Sequence, residues 1–211
     1  MTISATTQGL RMGVATSSSR PTVPFDGQVI SETDTDSLKV YNGTAWVGVG
    51  GLVPLVSTTT VTAATTITGT PFSATYDNYL ILMTMSTSTA SAINFQLTAS
   101  GTPATTNYNR QHIEASGATV SSARSTGESS YFWSNAATTA NAYSLQIINP
   151  FKVSRTELIG QGNYGSATAL GILNIVANNS NATSYDGFKI FFDSTYTGTG
   201  TYTVYGYGKT A

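Results

Sequence analysis

The chain has 211 residues, enough for one full-sized domain and a small appendage but tight for two complete domains. Only 9% of them are charged, against about 25% in an average soluble protein, and nine Lys plus Arg oppose ten Asp plus Glu for a net charge of -1. Such a chain carries no field to hold nucleic acid or an anionic bilayer, and without cysteine it has no disulfide framework and no thiolate metal site.

Solubility must come from Ser, Thr, Asn and Gly. The 40% hydrophobic and 10% aromatic residues fall in strand-length runs and are enough to build a core. Threonine is β-branched and loses rotamer freedom on a helix, so its abundance predicts an all-β fold.

In chain order, residues 1–20 are polar and lack periodicity, and they predict an extended attachment arm that orders against a partner. Met1 to Val14 contains no uninterrupted apolar run and no later stretch reaches about 18 apolar residues, so neither a secretory signal nor a membrane span is expected. Residues 21–50 predict a small three-stranded β-meander. Its strands run over Gln28 to Glu32, Leu38 to Tyr41 and Ala45 to Val47, with Asn42-Gly43 as a hairpin signal. A module of about thirty residues cannot cover its own apolar side chains, so it needs copies of itself or the main domain. The glycine-rich stretch 48–51 marks the boundary.

Residues 52–211 repeat a theme of five to eight alternating residues followed by a polar turn, which predicts a jelly-roll-like β-sandwich of eight to ten strands. Ile93, Phe95 and Leu97 alternate with Asn94, Gln96 and Thr98, and Tyr143, Leu145 and Ile147 alternate with Ser144 and Gln146, each a strand with one wet face. Tyr79 to Met85 and Gly171 to Ala177 are apolar on both faces and predict strands covered on both sides, one side against a neighbouring subunit.

Parts for catalysis are few. Arg110, the single histidine His112, and Glu114 alternate onto one strand face, where a cross-strand pair is the ordinary role and a Ser-His-Glu arrangement the chemical one; no Gly-x-Ser-x-Gly elbow accompanies them. The carboxylates Asp77, Glu114, Glu128, Glu157, Asp186 and Asp193 show no spacing that selects a glycosidase pair, and Asp77 and Asp186 stand where a carboxylate caps local backbone amides. Glu32, Asp34 and Asp36 could offer oxygen ligands to calcium but lack the EF-hand spacing. No phosphate-binding loop or dinucleotide fingerprint is present, so no cofactor, metal site or catalytic residue is assigned. Tyr131, Phe132 and Trp133 lie between polar loops. Tyr131 and Trp133 are candidate surface-binding aromatics for sugar stacking or protein contact, and the same triplet also fits a core strand.

Arg20-Pro21, Pro24 through Ile30, Glu32 through Asp36 and Tyr41 through Trp46 together resemble a module of tailed-phage structural proteins, cyanophage-type tail fibres and head decoration proteins among them. Tyr76-Asp77-Asn78-Tyr79 and Tyr205-Gly206-Tyr207-Gly208 are similar, more loosely, to the sandwich that follows this module. The resemblance implies a homotrimer on the virion surface, with the small module near the particle, the sandwich outward, and other virion proteins as partners. Val40, Tyr41 and Trp46 are then the candidate trimer contacts. Three readings stand: a short tail fibre or adhesin, a capsid cement protein at three-fold positions, and a carbohydrate-binding module for a host-surface glycan. All are non-enzymatic; a hydrolase is the reading they displace.

Overall fold

A computed structural model describes residues 12–35, 37–49, 51–166, 169–193 and 195–207, and the chain divides into two compact units between Gly51 and Leu52. Among the described residues every regular element is a strand.

The first unit is a four-stranded sheet in the order β1 (Gly13–Ala15), β2 (Val29–Glu32), β3 (Ser37–Tyr41) and β4 (Trp46–Gly48). The expected meander has gained a strand, because β1 lies in the stretch expected to be an extended attachment arm and pairs parallel to β2 of the same chain. Three residues are too few to show a period, and polar contacts hold them in place. The Thr33 amide donates to the Ala15 carbonyl at 3.0 Å, and Asp34 accepts from the Ser17 amide at 2.9 Å. Residues 1–11 of the arm, and Asp36 and Gly50, lie outside the described residues. The Asn42-Gly43 hairpin is a four-residue loop rather than a two-residue turn. Tyr41 pairs with Trp46, and the Asn42 side-chain oxygen accepts from the Thr44 and Ala45 amides at 3.1 and 2.8 Å, while Gly43 alone takes a positive φ, of 86°.

Among the described residues of this unit, Ala15 and Ile30 are the buried apolar side chains. Beside them lies Glu32, which is buried, and its carboxylate is held by Arg20 Nε at 2.5 Å and Thr35 Oγ1 at 2.7 Å, with Lys39 Nζ at 3.9 Å. A carboxylate removed from water needs such partners.

Among the described residues the second unit is a sandwich of thirteen strands, more than the eight to ten expected. In chain order they are β5 (Leu52–Ala64), β6 (Thr66–Gly69), β7 (Asn78–Thr87), β8 (Ser91–Ala99), β9 (Thr102–Pro103), β10 (Tyr108–Ser116), β11 (Thr119–Glu128), β12 (Tyr131–Ala136), β13 (Asn141–Ile148), β14 (Ser154–Ser166), β15 (Ala169–Thr183), β16 (Gly187–Phe192) and β17 (Gly198–Tyr207). One sheet runs β11-β10-β15-β14-β13-β7-β17-β5 and the other β12-β8-β16-β6, with β9 on β8, and every ladder is antiparallel. Setting aside β9–β11 and β14–β15 leaves the orders β5-β17-β7-β13 and β6-β16-β8-β12. Of the strands set aside, β10, β11, β14 and β15 extend the larger sheet and β9 adds to the smaller one.

The core between the sheets is aromatic. Phe95 stacks on Phe188 with centroids 6.0 Å apart, and Phe188 meets Tyr202 edge-on at 6.3 Å. The alternation in β13 sorts as its sequence predicts, with Tyr143, Leu145 and Ile147 buried and Ala142 and Gln146 exposed. One other strand departs from expectation. In β8 the polar residues Asn94, Gln96 and Thr98 are buried too, since Asp193 accepts from Asn94 Nδ2 at 3.0 Å and the Ser129 carbonyl from Gln96 Nε2 at 2.9 Å. In β7 and β15 one apolar face is buried in the core, and the other, the side expected to meet a neighbouring subunit, is exposed on this chain at Leu82, Ile172 and Val176.

Candidate functional site

Tyr131 and Trp133, candidates for a surface platform, are fully buried in β12 and belong to the core. The cause lies on β14. Gly160 and Gly162 present no side chain toward β12, and a Cβ on Gly160 would collide with the Tyr131 hydroxyl, one on Gly162 with Ser134 Oγ at 2.6 Å. The rings occupy the channel these glycines leave. Trp133 meets Phe95 and Tyr143 edge-on at 6.5 and 6.2 Å, and its indole N–H donates to the Ser144 carbonyl at 3.0 Å. Burial pushes the Tyr131 hydroxyl far above the usual phenol range. No ring of this pair reaches a sugar.

Arg110, His112 and Glu114 do share one face of β10, yet they join no nucleophile. Arg110 forms a two-point pair with Glu128, at 2.7 and 3.2 Å, and its guanidinium carbon lies 4.9 Å from the centre of the Phe132 ring. The hydrogen bond of His112 is with Arg110 Nη1, at 3.2 Å. Burial first, and then the Arg110 charge, lower the histidine's pKa and favour the neutral imidazole at pH 7. Glu114 is engaged by the Tyr164 hydroxyl instead.

The remaining carboxylates act as clamps. Asp186 accepts from the amide of Ser100, 86 residues away in sequence and so not a local cap, at 3.0 Å. Asp193 accepts from the Ala92 amide at 3.1 Å, Asp77 pairs with Lys152 at 3.1 Å, and Glu157 with Arg155 at 2.5 Å. In the small unit Asp34 holds Ser17 and Glu32 holds Arg20, which uses two of the three acids that could have faced calcium. Among the described residues no three His, Cys, Asp or Glu side chains gather as a metal site.

Two surfaces remain open. The first is the outward face of the eight-stranded sheet. Matching residues across β10, β15, β14, β13 and β7 run Ile113, Asn174, Gln161, Ser144, Leu82 in one row and Gln111, Val176, Ile159, Gln146, Leu80 in the next. Neither row holds a charge. A shallow groove of about 440 Å³ runs along the first row, lined by Leu82, Ser144, Gln161, Asn163, Ile172 and Asn174 among others. Toward one end, a hollow of about 230 Å³ brings Asn78, Gln146, Ile148 and Tyr207 together; Gly208, next to it in sequence, lies outside the described residues.

The second surface belongs to the small sheet. Of the three candidate trimer contacts, Tyr41 and Trp46 pair with each other at 5.5 Å between ring centroids, on the face that also carries Ile30, Glu32 and Lys39. Val40 faces the other way. All three are half-buried.

Comparison with protein-family models, curated proteins and solved structures finds no match for this chain.

Proposed function

We propose that the chain is a non-enzymatic structural protein of a tailed-phage virion surface: a homotrimeric short tail fibre or adhesin, made in the host cytoplasm and fixed to other virion proteins through its N-terminal region. The observation that carries this reading is the deficit of core in the first unit. Among the described residues of that unit two apolar side chains are buried, while Val14, Val23, Phe25, Leu38 and Val49 stand in solvent. A unit of this size does not stabilise itself on so little burial, so its apolar surface calls for a permanent partner. The sequence resemblance supplies the phage context, and the engagement of His112 and the carboxylates in structural contacts favours work done through surfaces. A capsid cement protein bridging subunits at three-fold positions uses the same physics and is the nearest alternative. The test is the mass of the full chain in solution by light scattering, followed by cryo-imaging of particles with and without it. Three chains per assembly and density on tail or head are expected; a monomer at micromolar concentration, or a particle without such density, refutes the proposal.

One observation favours a second activity on the same chain, recognition of a host-surface glycan. The groove across the eight-stranded sheet offers amides, hydroxyls and aliphatic carbon without charge, which suits a neutral saccharide, and its volume lies in the range of ligand clefts of roughly 300–1,000 Å³. This reading moves the binding surface away from Tyr131 and Trp133. Titration with a panel of neutral oligosaccharides tests it: binding that survives Gln161→Ala combined with Asn174→Ala would place the sugar elsewhere.

A further inference from the structure

We propose that the loop between β3 and β4 is a self-modifying site, at which Asn42 closes a cyclic imide with Gly43 and is converted to aspartate and isoaspartate. The sequence narrows the choice first. Attack on an asparagine carboxamide comes from the amide nitrogen of the next residue, and a side chain on that residue obstructs the approach, so glycine is the permissive follower. Asn42 is the one asparagine of the chain that glycine follows. Asn149 precedes Pro150, which has no N–H to react.

The fold then separates Asn42 from the rest. Apart from Asn107 and Asn149, the other asparagines lie within strands, where the ladders fix an extended backbone, and Asn107 is followed by the buried Tyr108. Asn42 and Gly43 are exposed in the short loop 42–45. The Asn42 side-chain oxygen accepts from the Thr44 and Ala45 amides at 3.1 and 2.8 Å, which folds the carboxamide back toward the peptide that carries the nucleophile. Negative charge gathers on that same oxygen as Cγ becomes tetrahedral, so the two N–H groups stand as an oxyanion hole does. Gly43, at a φ of 86°, has an N–H without a hydrogen-bond partner among the described residues. No bond must be broken to free it.

The reaction balances with water as its one co-reactant. A solvent base takes the Gly43 amide proton, the nitrogen bonds to Asn42 Cγ, and the Cγ–Nδ2 bond breaks to release ammonia. Water then opens the imide. Cleavage at Cγ gives aspartate, whereas cleavage at the main-chain carbonyl gives isoaspartate, whose backbone runs through the side chain and is one atom longer. The aspartate keeps an acceptor for the Thr44 and Ala45 amides and sets a new charge beside Asp26, whose carboxylate lies 3.7 Å from where a Cβ on Gly43 would stand. The isoaspartate lengthens a four-residue loop and loosens the Tyr41–Trp46 pair that closes it. The site needs no partner, so it is independent of the assembly proposed above.

The test is a time course on the full chain at mildly acidic and mildly alkaline pH, read by peptide mass mapping and by an isoaspartate-specific methyltransferase. Residue 42 is expected to yield both products, faster at the higher pH, and about tenfold faster in the folded chain than in urea, where the two amide donors are lost. Gly43→Ala should slow the conversion at least about tenfold. Should that variant fail to fold, the wild-type course decides alone. No conversion at position 42, a folded chain slower than the unfolded one, or aspartate without isoaspartate, the mark of direct hydrolysis, overturns the proposal.

Discussion

Replacing Trp133 by alanine separates the core role from the surface role most sharply. The indole is fully buried, meets Phe95 and Tyr143 edge-on, and donates to the Ser144 carbonyl at 3.0 Å across the sandwich. Removing a buried Trp side chain costs about 3–5 kcal/mol through lost transfer energy and the cavity left behind. Collapse of that cavity is resisted, because β12 lies on the glycine channel of β14 and cannot settle deeper. At about 2–4 °C per kcal/mol for a domain of this size, the melting temperature should fall by roughly 6–20 °C. Differential scanning calorimetry on the full chain reads this directly. Trp133→Phe keeps an aromatic ring but loses the five-membered half of the indole with its N–H, so its drop should be the smaller of the two. A melting temperature within about 2 °C of wild type for Trp133→Ala would refute the packing argument; loss of saccharide binding in that same folded variant would restore the ring to the surface.

Gly162→Ala should cost about 1–3 kcal/mol or more, since the new methyl would sit 2.6 Å from Ser134 Oγ and 2.7 Å from Tyr143 Cδ1 and force the two sheets apart; chemical denaturation checks it. Glu32 makes the first unit acid-sensitive. Its hydrogen bond to Arg20, aided by Thr35 and the charge of Lys39, holds its carboxyl below the ordinary 4.5. The folded value lies below the unfolded one, so the stabilisation is full above about pH 4.5 and is lost as pH falls through the lowered folded value. Asp34, held down chiefly by the Ser17 hydroxyl, adds to the same window. Trp46 fluorescence in a Trp133→Phe background should report a transition there that Glu32→Gln weakens; a profile unchanged by Glu32→Gln would exclude that carboxylate as its source. Asp186→Ala removes the acceptor for the Ser100 amide and should lower stability by about 1–3 kcal/mol, measurable by urea denaturation.

The all-β class was legible without coordinates, because a Thr-rich, charge-poor chain with period-two alternation has few other ways to pair its backbone. In β13 the alternation even sorted its residues correctly, with Tyr143, Leu145 and Ile147 inside. Period two separates the two faces of a strand but does not tell which of them another layer will cover. That choice belongs to the tertiary structure, and in β8 it ran against expectation: the polar side is buried under Asp193 and Ser129. The strand β1 was invisible for a different reason. Three residues carry no period, and Gly13, Val14 and Ala15 become a strand only because β2 offers them a parallel edge. Tyr131 and Trp133 show the same limit at the level of a site. Whether an aromatic run becomes a platform or a core is settled by Gly160 and Gly162, some thirty residues further along, whose missing side chains leave room that only the folded sandwich brings beneath the rings.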